Sequence, residues 1–304
     1  MRLSFALMLV LPSLTHAQPT AEQKKETIAW VTALQAPGGG FYLAPQDPNV
    51  DAAPRPSLRA TNGAVRALKY LGAAIPNKEK HAAFVLSCFD PKTGGFAEPG
   101  GKPDVTVTSV GVMVAMELSV PKEKFAKAMD YLKENAKTFE EVRIGAAAVE
   151  AWGVKDCPFK LDEWKEIAKG QGMKKGSIEA LRDGEARALG SAVAFNLRLG
   201  LTKREESGAG HFLALGQRED GGWGKTGEKA SDIETTYRVM RALTLVPKRS
   251  GEKWFDAGAV RKFVDAHRNK DGGYATKPGE KSSMSGVYYC TIITKWLDEM
   301  EAKK

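Results

Sequence analysis

Two carboxylates and two lysines lie close together in the sequence, just ahead of a predicted helix. Asp232 and Glu234 are separated by one residue, and Lys225 and Lys229 precede them in a glycine-containing stretch. Paired carboxylates can hold a hard cation such as Mg²⁺ when water and a substrate phosphate complete its coordination shell. A structural alternative is a capping box, in which Ser231 and Glu234 close the start of the following helix. The sequence alone leaves both interpretations open.

Aromatic residues form a second candidate set. Tyr237, Tyr288, Tyr289, Trp152 and Phe195 all fall within stretches with helical character. If these helices surround a cavity, the aromatic rings are suited to line it and to bind an apolar ligand. The alternative is ordinary core packing, which is the commoner use of aromatic residues on helices.

A short phrase that recurs four times predicts the elements that position these residues. Each copy ends in two glycines and an aromatic residue: Gly39-Gly40-Phe41, Gly94-Gly95-Phe96, Gly221-Gly222-Trp223 and Gly272-Gly273-Tyr274. A helix-like stretch precedes each copy, and a polar loop leads from it into a second helix. Glycine supplies the positive-φ backbone that a sharp reversal needs. The predicted unit is therefore a helix, a Gly-Gly loop and a second helix.

The distribution of these copies predicts six units. The long interval between Gly94 and Gly221 accommodates two further units without the phrase, with second helices predicted over 140–152 and 184–199. Small residues are frequent in the predicted second helices, and small side chains allow helices to crowd into the inner layer of a ring. We therefore predict an all-α fold of six helix pairs arranged as a toroid, with an open superhelix as the alternative.

Six helix pairs joined by Gly-Gly-aromatic loops resemble the (α/α)6 toroid of protein prenyltransferase β-subunits and of squalene and hopene cyclases. The resemblance covers nearly the whole chain, and the segment around Asp232 is most similar to the β-subunit of the type II geranylgeranyl transferase. It implies a central cavity that handles an isoprenoid or a prenyl diphosphate. Lys229 matches a lysine of the family motif, and Lys225 adjoins the position of a diphosphate-binding arginine.

The transferases of this family hold zinc through an Asp, a Cys and a His. Asp232 matches the first ligand, but Glu234 stands at the Cys position and Gly286 lies near the His position. Since catalytic zinc generally has three protein ligands, we expect no stoichiometric zinc and no other cofactor. In the cyclases, an acid in an Asp-x-Asp-Asp motif protonates the isoprenoid, and Glu234 occupies the position of that acid.

Composition and the first residues bear on the function class and the cellular location. The chain has 304 residues, 42% hydrophobic and 27% charged, which is typical of a globular protein. Its net charge is +8, but basic and acidic residues are interspersed, so we expect no nucleic-acid partner. Residues 1–17 resemble a signal peptide, with Arg2, an apolar run too short to span a bilayer, and a cleavage site after Ala17. We expect an exported toroid domain over 18–304, either periplasmic or secreted, without a transmembrane segment.

Two functional hypotheses result. The first is a prenyltransferase-like toroid that handles an isoprenoid or a prenyl diphosphate, by transfer or by cyclisation. The alternative is a non-catalytic exported toroid that binds a protein partner or an apolar ligand. The three cysteines permit at most one internal disulfide, and the sequence does not say which pair would form it.

Overall fold

The computed structural model describes residues 18–46, 55–171, 177–202, 208–246 and 253–302. Within these ranges the chain forms twelve helices of seven residues or more and no β-strand, which confirms the predicted fold class. In chain order they are α1 Ala21–Ala33, α2 Leu58–Tyr70, α3 Lys78–Ser87, α4 Val105–Glu117, α5 Lys127–Asn135, α6 Phe139–Trp152, α7 Asp162–Ala168, α8 Ala186–Arg198, α9 Ala209–Leu215, α10 Ile233–Leu245, α11 Ala257–Asp265 and α12 Met284–Ala302. The predicted leader lies outside the described residues and stays a prediction.

The helices alternate between two layers. Each even-numbered helix contacts the next even-numbered helix, and α12 contacts α2, so the inner layer is a closed ring. The odd-numbered helices pack around the outside of this ring. The two units predicted without the Gly-Gly phrase supply α5 to α8. The closed ring corresponds to the predicted toroid and not to the open superhelix.

The first glycine of each recurrent loop has a backbone conformation that other residues rarely adopt. The φ angles are +99° at Gly39, +81° at Gly94, +94° at Gly221 and +85° at Gly272. A Cβ atom at Gly221 would lie only 2.1 Å from the carbonyl oxygen of Ala259 on α11, the outer helix of the next unit. The other three approach α3, α5 and α1 in the same way, through Lys80, Lys127 and Glu26. Glycine is thus required both by the turn and by the packing of successive units.

Each loop is also tied to the inner helix that follows it. Threonine hydroxyls in the first turns of α2, α4 and α10 accept hydrogen bonds from the backbone N–H of the loop aromatic residue. The pairs are Phe41 with Thr61 at 3.0 Å, Phe96 with Thr108 at 2.9 Å and Trp223 with Thr236 at 3.0 Å. All three aromatic side chains are completely buried. The loop therefore fixes where each inner helix begins.

The ring closes between the last loop and the first helix. The Thr27 hydroxyl on α1 donates to the carbonyl oxygen of Gly272 at 2.8 Å. The Trp30 indole N–H donates to the Asp271 carboxylate at 3.1 Å. These contacts seal the toroid without a covalent link, and none of the three cysteines forms a disulfide.

Candidate functional site

A cavity of about 480 Å³ occupies the middle of the inner ring. Residues from all six inner helices line it, and many of them are charged. It contains six arginines, three glutamates and three tyrosines: Arg59, Arg66, Arg143, Arg198, Arg238 and Arg241; Glu140, Glu141 and Glu234; Tyr237, Tyr288 and Tyr289. An interior designed only for a hydrocarbon would not bury this many charged groups, because each charge needs a partner once water is removed.

One end of the cavity is formed by the first turns of the inner helices, and we call it the mouth. Arg59, Thr106, Glu140, Glu234 and Ser285 are each the second residue of their helix. The Glu140 side chain is 59% exposed, so this end opens to solvent. The amino-terminal ends of helices carry partial positive charge, which favours carboxylates and incoming anions at the mouth.

Ion pairs link the mouth carboxylates to arginines. The Arg238 guanidinium donates to Glu234 at 2.7 Å and to Glu140 at 3.0 Å. Arg187 adds a contact to Glu234 at 3.1 Å, and Arg143 one to Glu140 at 3.0 Å. Burial raises the pKa of the Glu234 carboxyl, but the charges of Arg238 and Arg187 outweigh burial and lower its pKa overall. Glu234 is therefore an ionised, arginine-bound carboxylate at neutral pH.

The opposite end, which we call the floor, carries an excess of arginine. Arg241 lies 2.5 Å and Arg198 3.2 Å from the same carboxylate, that of Glu150. Arg66 lies 3.5 Å from Glu117. Three guanidinium groups therefore share two carboxylates, which leaves net positive charge at the floor.

Two buried, uncharged polar atoms on the cavity wall have no hydrogen-bond partner within the protein. They are the Asn62 side-chain carbonyl on α2 and the Ser191 hydroxyl on α8, which are 7% and 3% exposed. A buried polar group without a partner costs about 1–3 kcal/mol, so such groups are rare in a native core. Both face space that a ligand can fill.

Three tyrosines and a tryptophan form an aromatic cluster beside the floor. The Tyr237 ring stacks on Trp296 at 5.4 Å and lies 5.1 Å from the Tyr289 ring. Its hydroxyl is 3.2 Å from the Tyr288 hydroxyl. These three tyrosines were predicted from the sequence to line the cavity, and the structure places them there.

Asp232 caps the amino-terminal end of α10. Its carboxylate accepts the backbone N–H of Thr235 at 2.9 Å and makes Asp232 the N-cap of α10. The predicted capping box with Ser231 as the N-cap is wrong, because the Ser231 hydroxyl instead donates to Asp220 at 2.7 Å. Glu234 is held by arginines and does not reach back to the start of the helix.

The other predicted ligand contacts do not converge on the cavity. Lys225 and Lys229 lie in a loop whose backbone carbonyls accept hydrogen bonds from the Arg218 guanidinium, and neither side chain is part of the cavity lining. Trp152 is buried at the far end of α6. Its indole N–H donates to the Asp156 carbonyl at 3.1 Å, and it does not reach the cavity.

The zinc positions implied by the family do not fit a metal in this chain. A Cβ atom at Gly286 would lie 2.2 Å from the Tyr274 carbonyl oxygen, so no histidine fits there. Asp232 caps a helix and Glu234 is paired with arginines. Across the described ranges, no three His, Cys, Asp or Glu side chains form a cluster that could hold a metal ion. That the protein binds no stoichiometric zinc stays a prediction for metal analysis.

Comparisons with known proteins agree with this architecture. The profile of the family described as "Prenyltransferase alpha-alpha toroid domain" matches residues 2–153 and 187–303. The chain belongs to this family. A search of curated protein sequences found no significant match. Specific closeness to the type II geranylgeranyl transferase stays a prediction.

Solved structures with the same fold are distant in sequence. A protein from Actinoplanes is similar with a TM-score of 0.55 and 11% identity, covering 91% of this chain and 98% of that one. A structure titled "Glycosidase Wild Type" has a TM-score of 0.54 and 14% identity, covering 93% and 97%. At this identity the likeness concerns the fold alone. No helix among the described residues combines the length and apolarity needed to cross a bilayer.

Sequence reasoning missed the arginines that dominate the cavity. One signal was available in the sequence: Arg66 interrupts the run Ala64-Val65-Arg66-Ala67-Leu68, whose other four residues are small or apolar. A charged residue on the buried face of an inner helix is unusual, because charge is rarely buried without a purpose or a partner. The same argument applies to Arg241 on α10.

Proposed function

We propose that the central cavity binds a small organic anion. The observation that carries this proposal is the excess of arginine over glutamate on a lining contributed by all six inner helices. The excess persists when the groups behind the lining, Arg187, Glu117 and Glu150, are included. Arginine presents five donors in a planar fork that suits carboxylate and phosphate groups.

The lining distinguishes between the ligands that the family resemblance implies. A neutral isoprenoid would strip water from the floor arginines and leave Asn62 and Ser191 without partners. A prenyl diphosphate brings negative charge for the arginines, and apolar lining residues such as Val110, Met113 and Ile144 can contact its chain. The ionised state of Glu234 also disfavours cyclisation started by proton donation from this residue.

A charged sugar belongs to the same ligand class and is an alternative to a prenyl diphosphate. Its carboxylate would pair with the floor arginines, and its hydroxyls would bond to Asn62 and Ser191. Glycosidases share this fold, although the similarity is too distant to carry function. The shared chemistry of both ligands is an anionic group held at the floor.

The test is calorimetric titration with four probes: inorganic diphosphate, geranylgeranyl diphosphate, glucuronate and neutral geranylgeraniol. We expect at least one anion to bind and geranylgeraniol to bind far more weakly than its diphosphate. Arg241→Met should weaken anion binding at least tenfold, because a charge-assisted hydrogen bond contributes about 1.5–3 kcal/mol. The variant should fold, since Arg198 still pairs with Glu150.

The matched control is Lys229→Met, which removes a positive charge from the exposed loop outside the cavity. It should leave anion binding unchanged. An equal loss of anion affinity in Arg241→Met and Lys229→Met would show that the cavity is not the binding site. Equal affinity for geranylgeraniol and its diphosphate would show that the arginines do not select for charge.

A further inference from the structure

Tyr237 is the member of the aromatic cluster on which the floor arginines act most strongly. It lies near the middle of α10, and its ring is enclosed by those of Tyr288, Tyr289 and Trp296. Its hydroxyl reaches the cavity and lies 3.2 Å from the hydroxyl of Tyr288, so one phenol donates and the other accepts. This pairing gives the two hydroxyls unequal roles.

The groups that interact with this hydroxyl come from several inner helices: Arg66 and Tyr70 on α2, Arg143 on α6, Arg198 on α8, Arg241 on α10, and Tyr288 and Tyr289 on α12. Behind the arginines lie their carboxylate partners, Glu117 on α4 and Glu150 on α6, and the mouth groups Glu140, Glu234 and Arg238 pair with one another. Of these, Arg198, Arg66 and Arg241 exert the strongest charge effects on Tyr237. Phenolate at this position would be stabilised by all three.

The two paired tyrosines respond to this environment in opposite directions. Burial raises the pKa of Tyr237, but the charges of Arg198 and Arg66 outweigh it and the net pKa is lowered. Burial and the neighbouring Tyr237 together raise the pKa of Tyr288 well above its usual value. Tyr237 therefore gives up its proton first, while Tyr288 keeps its own and donates a hydrogen bond to the resulting phenolate.

The remaining ionisable groups of the cavity are unsuited to proton transfer. Glu140 and Glu234 are ionised and bound to arginines, which lowers the pKa of both carboxyls. Backbone N–H groups of Lys137 and Thr138 lower the pKa of Glu141, and burial raises the pKa of Tyr289. None of the histidines in the described ranges lines the cavity, and neither does a cysteine. The hydroxyl of Tyr237 is the group at the floor whose protonation can change beside a bound anion.

We propose that Tyr237 is the general base of the cavity and that the toroid acts catalytically on an organic anion whose charged group is held by Arg66, Arg198 and Arg241. The inference rests on the proposed anion site. The phenolate oxygen forms an O–H bond with a proton taken from a hydroxyl or an acidic carbon of the substrate. The electron pair of the broken bond stays on the substrate, where the arginines stabilise the new charge.

The first test is a spectroscopic pH titration that follows phenolate absorbance. We expect one tyrosine of the wild-type protein to ionise at lower pH than the others. Tyr237→Phe should abolish this early step, and Tyr288→Phe should move it to higher pH because a hydrogen bond to the phenolate is lost. Tyr42→Phe, in the first Gly-Gly loop, is the control and should leave the step unchanged. An early step that survives in Tyr237→Phe would overturn the assignment.

The second test couples the base to ligand binding and uses inorganic diphosphate as the probe. A bound anion neutralises the arginines, so the early step should move to higher pH by about one unit, a tenfold rise in proton affinity. Calorimetry in buffers of different ionisation enthalpy, at a pH between the positions of this step in the free and the diphosphate-bound protein, should show proton uptake on binding, and none in Tyr237→Phe. Diphosphate binding without a shifted step would refute the role of Tyr237 and leave the anion site standing. An early step without any binding of the four anion and alcohol probes would refute the proposed function instead.

Discussion

The Gly-Gly loops and the cavity wall use polar groups in opposite ways. In the loops, backbone donors find threonine acceptors and there is no space for even one additional carbon atom at Gly221. On the wall, the Asn62 carbonyl oxygen and the Ser191 hydroxyl are also buried but have no partner within the protein, and both residues line the cavity. The loops satisfy their polar groups within the protein, whereas the wall leaves polar groups free to contact a ligand. This difference separates the residues that stabilise the toroid from those that give it a function.

The largest effect is expected from a substitution in a loop. Gly221→Ala places a Cβ atom 2.1 Å from the Ala259 carbonyl oxygen at a φ of +94°. The left-handed conformation costs about 1–2 kcal/mol, and the overlap adds about 1–3 kcal/mol. Urea unfolding should therefore show a loss of about 2–5 kcal/mol.

Gly227→Ala is the control for this prediction. Gly227 also has positive φ, at +76°, but no atom lies within 4 Å of an added Cβ. Only the backbone cost of about 1–2 kcal/mol should appear. Equal losses in the two variants would mean that close packing between successive units contributes nothing.

A smaller effect is expected where a loop meets the wall. Asp232→Ala removes the N-cap of α10 and should cost about 1 kcal/mol in the free energy of unfolding. Ser231→Ala removes only an exposed contact to Asp220 and should cost less. Anion binding should persist in both variants. If Asp232→Ala abolished binding without changing stability, Asp232 would be a functional acid and not a cap.

The smallest effect, of opposite sign, is expected on the wall. Ser191→Ala removes a buried hydroxyl that has no partner, so stability should stay the same or rise by up to about 1 kcal/mol. Ser109→Ala on α4 is the matched control, because that buried hydroxyl donates to the Val105 carbonyl at 2.7 Å. The control should be less stable than Ser191→Ala. Thermal unfolding of both variants without ligand measures the difference. If Ser191→Ala were the less stable variant, the Ser191 hydroxyl would contribute to stability like the hydrogen-bonded groups of the loops.

The loops were predictable from the sequence because their requirements are local. Positive φ and close approach to the next outer helix demand glycine at the first position of each pair, and the aromatic residue follows the second glycine. These first positions are Gly39, Gly94, Gly221 and Gly272. The N-cap of α10 was assigned one residue too early, to Ser231 and not to Asp232. The sequence does not show that the Ser231 hydroxyl is already hydrogen-bonded, since its partner Asp220 lies on the other side of the loop.

The wall was only partly predictable because its residues come together from six separate helices. Tyr237, Tyr288 and Tyr289 share an aromatic character that marks them as buried, and their placement in the ring followed from the repeat. The arginines gave no such indication, since most arginines lie on the surface. Lys225 and Lys229 were misplaced because Arg218 holds their loop by backbone hydrogen bonds, which spacing cannot reveal.

Closure of the ring has a consequence for how the chain folds. The hydrogen bond between Thr27 and Gly272 joins residues 245 positions apart, so α1 must wait for nearly the whole described chain before it finds its neighbour. Long-range contacts of this kind slow folding and prolong partly folded states. An intermediate that lacks the last helix pair exposes Trp30 on one edge and, on the other, the face of α10 that packs on α12. Both edges can pair with a second chain, so we expect late closure to favour exchange of units between molecules.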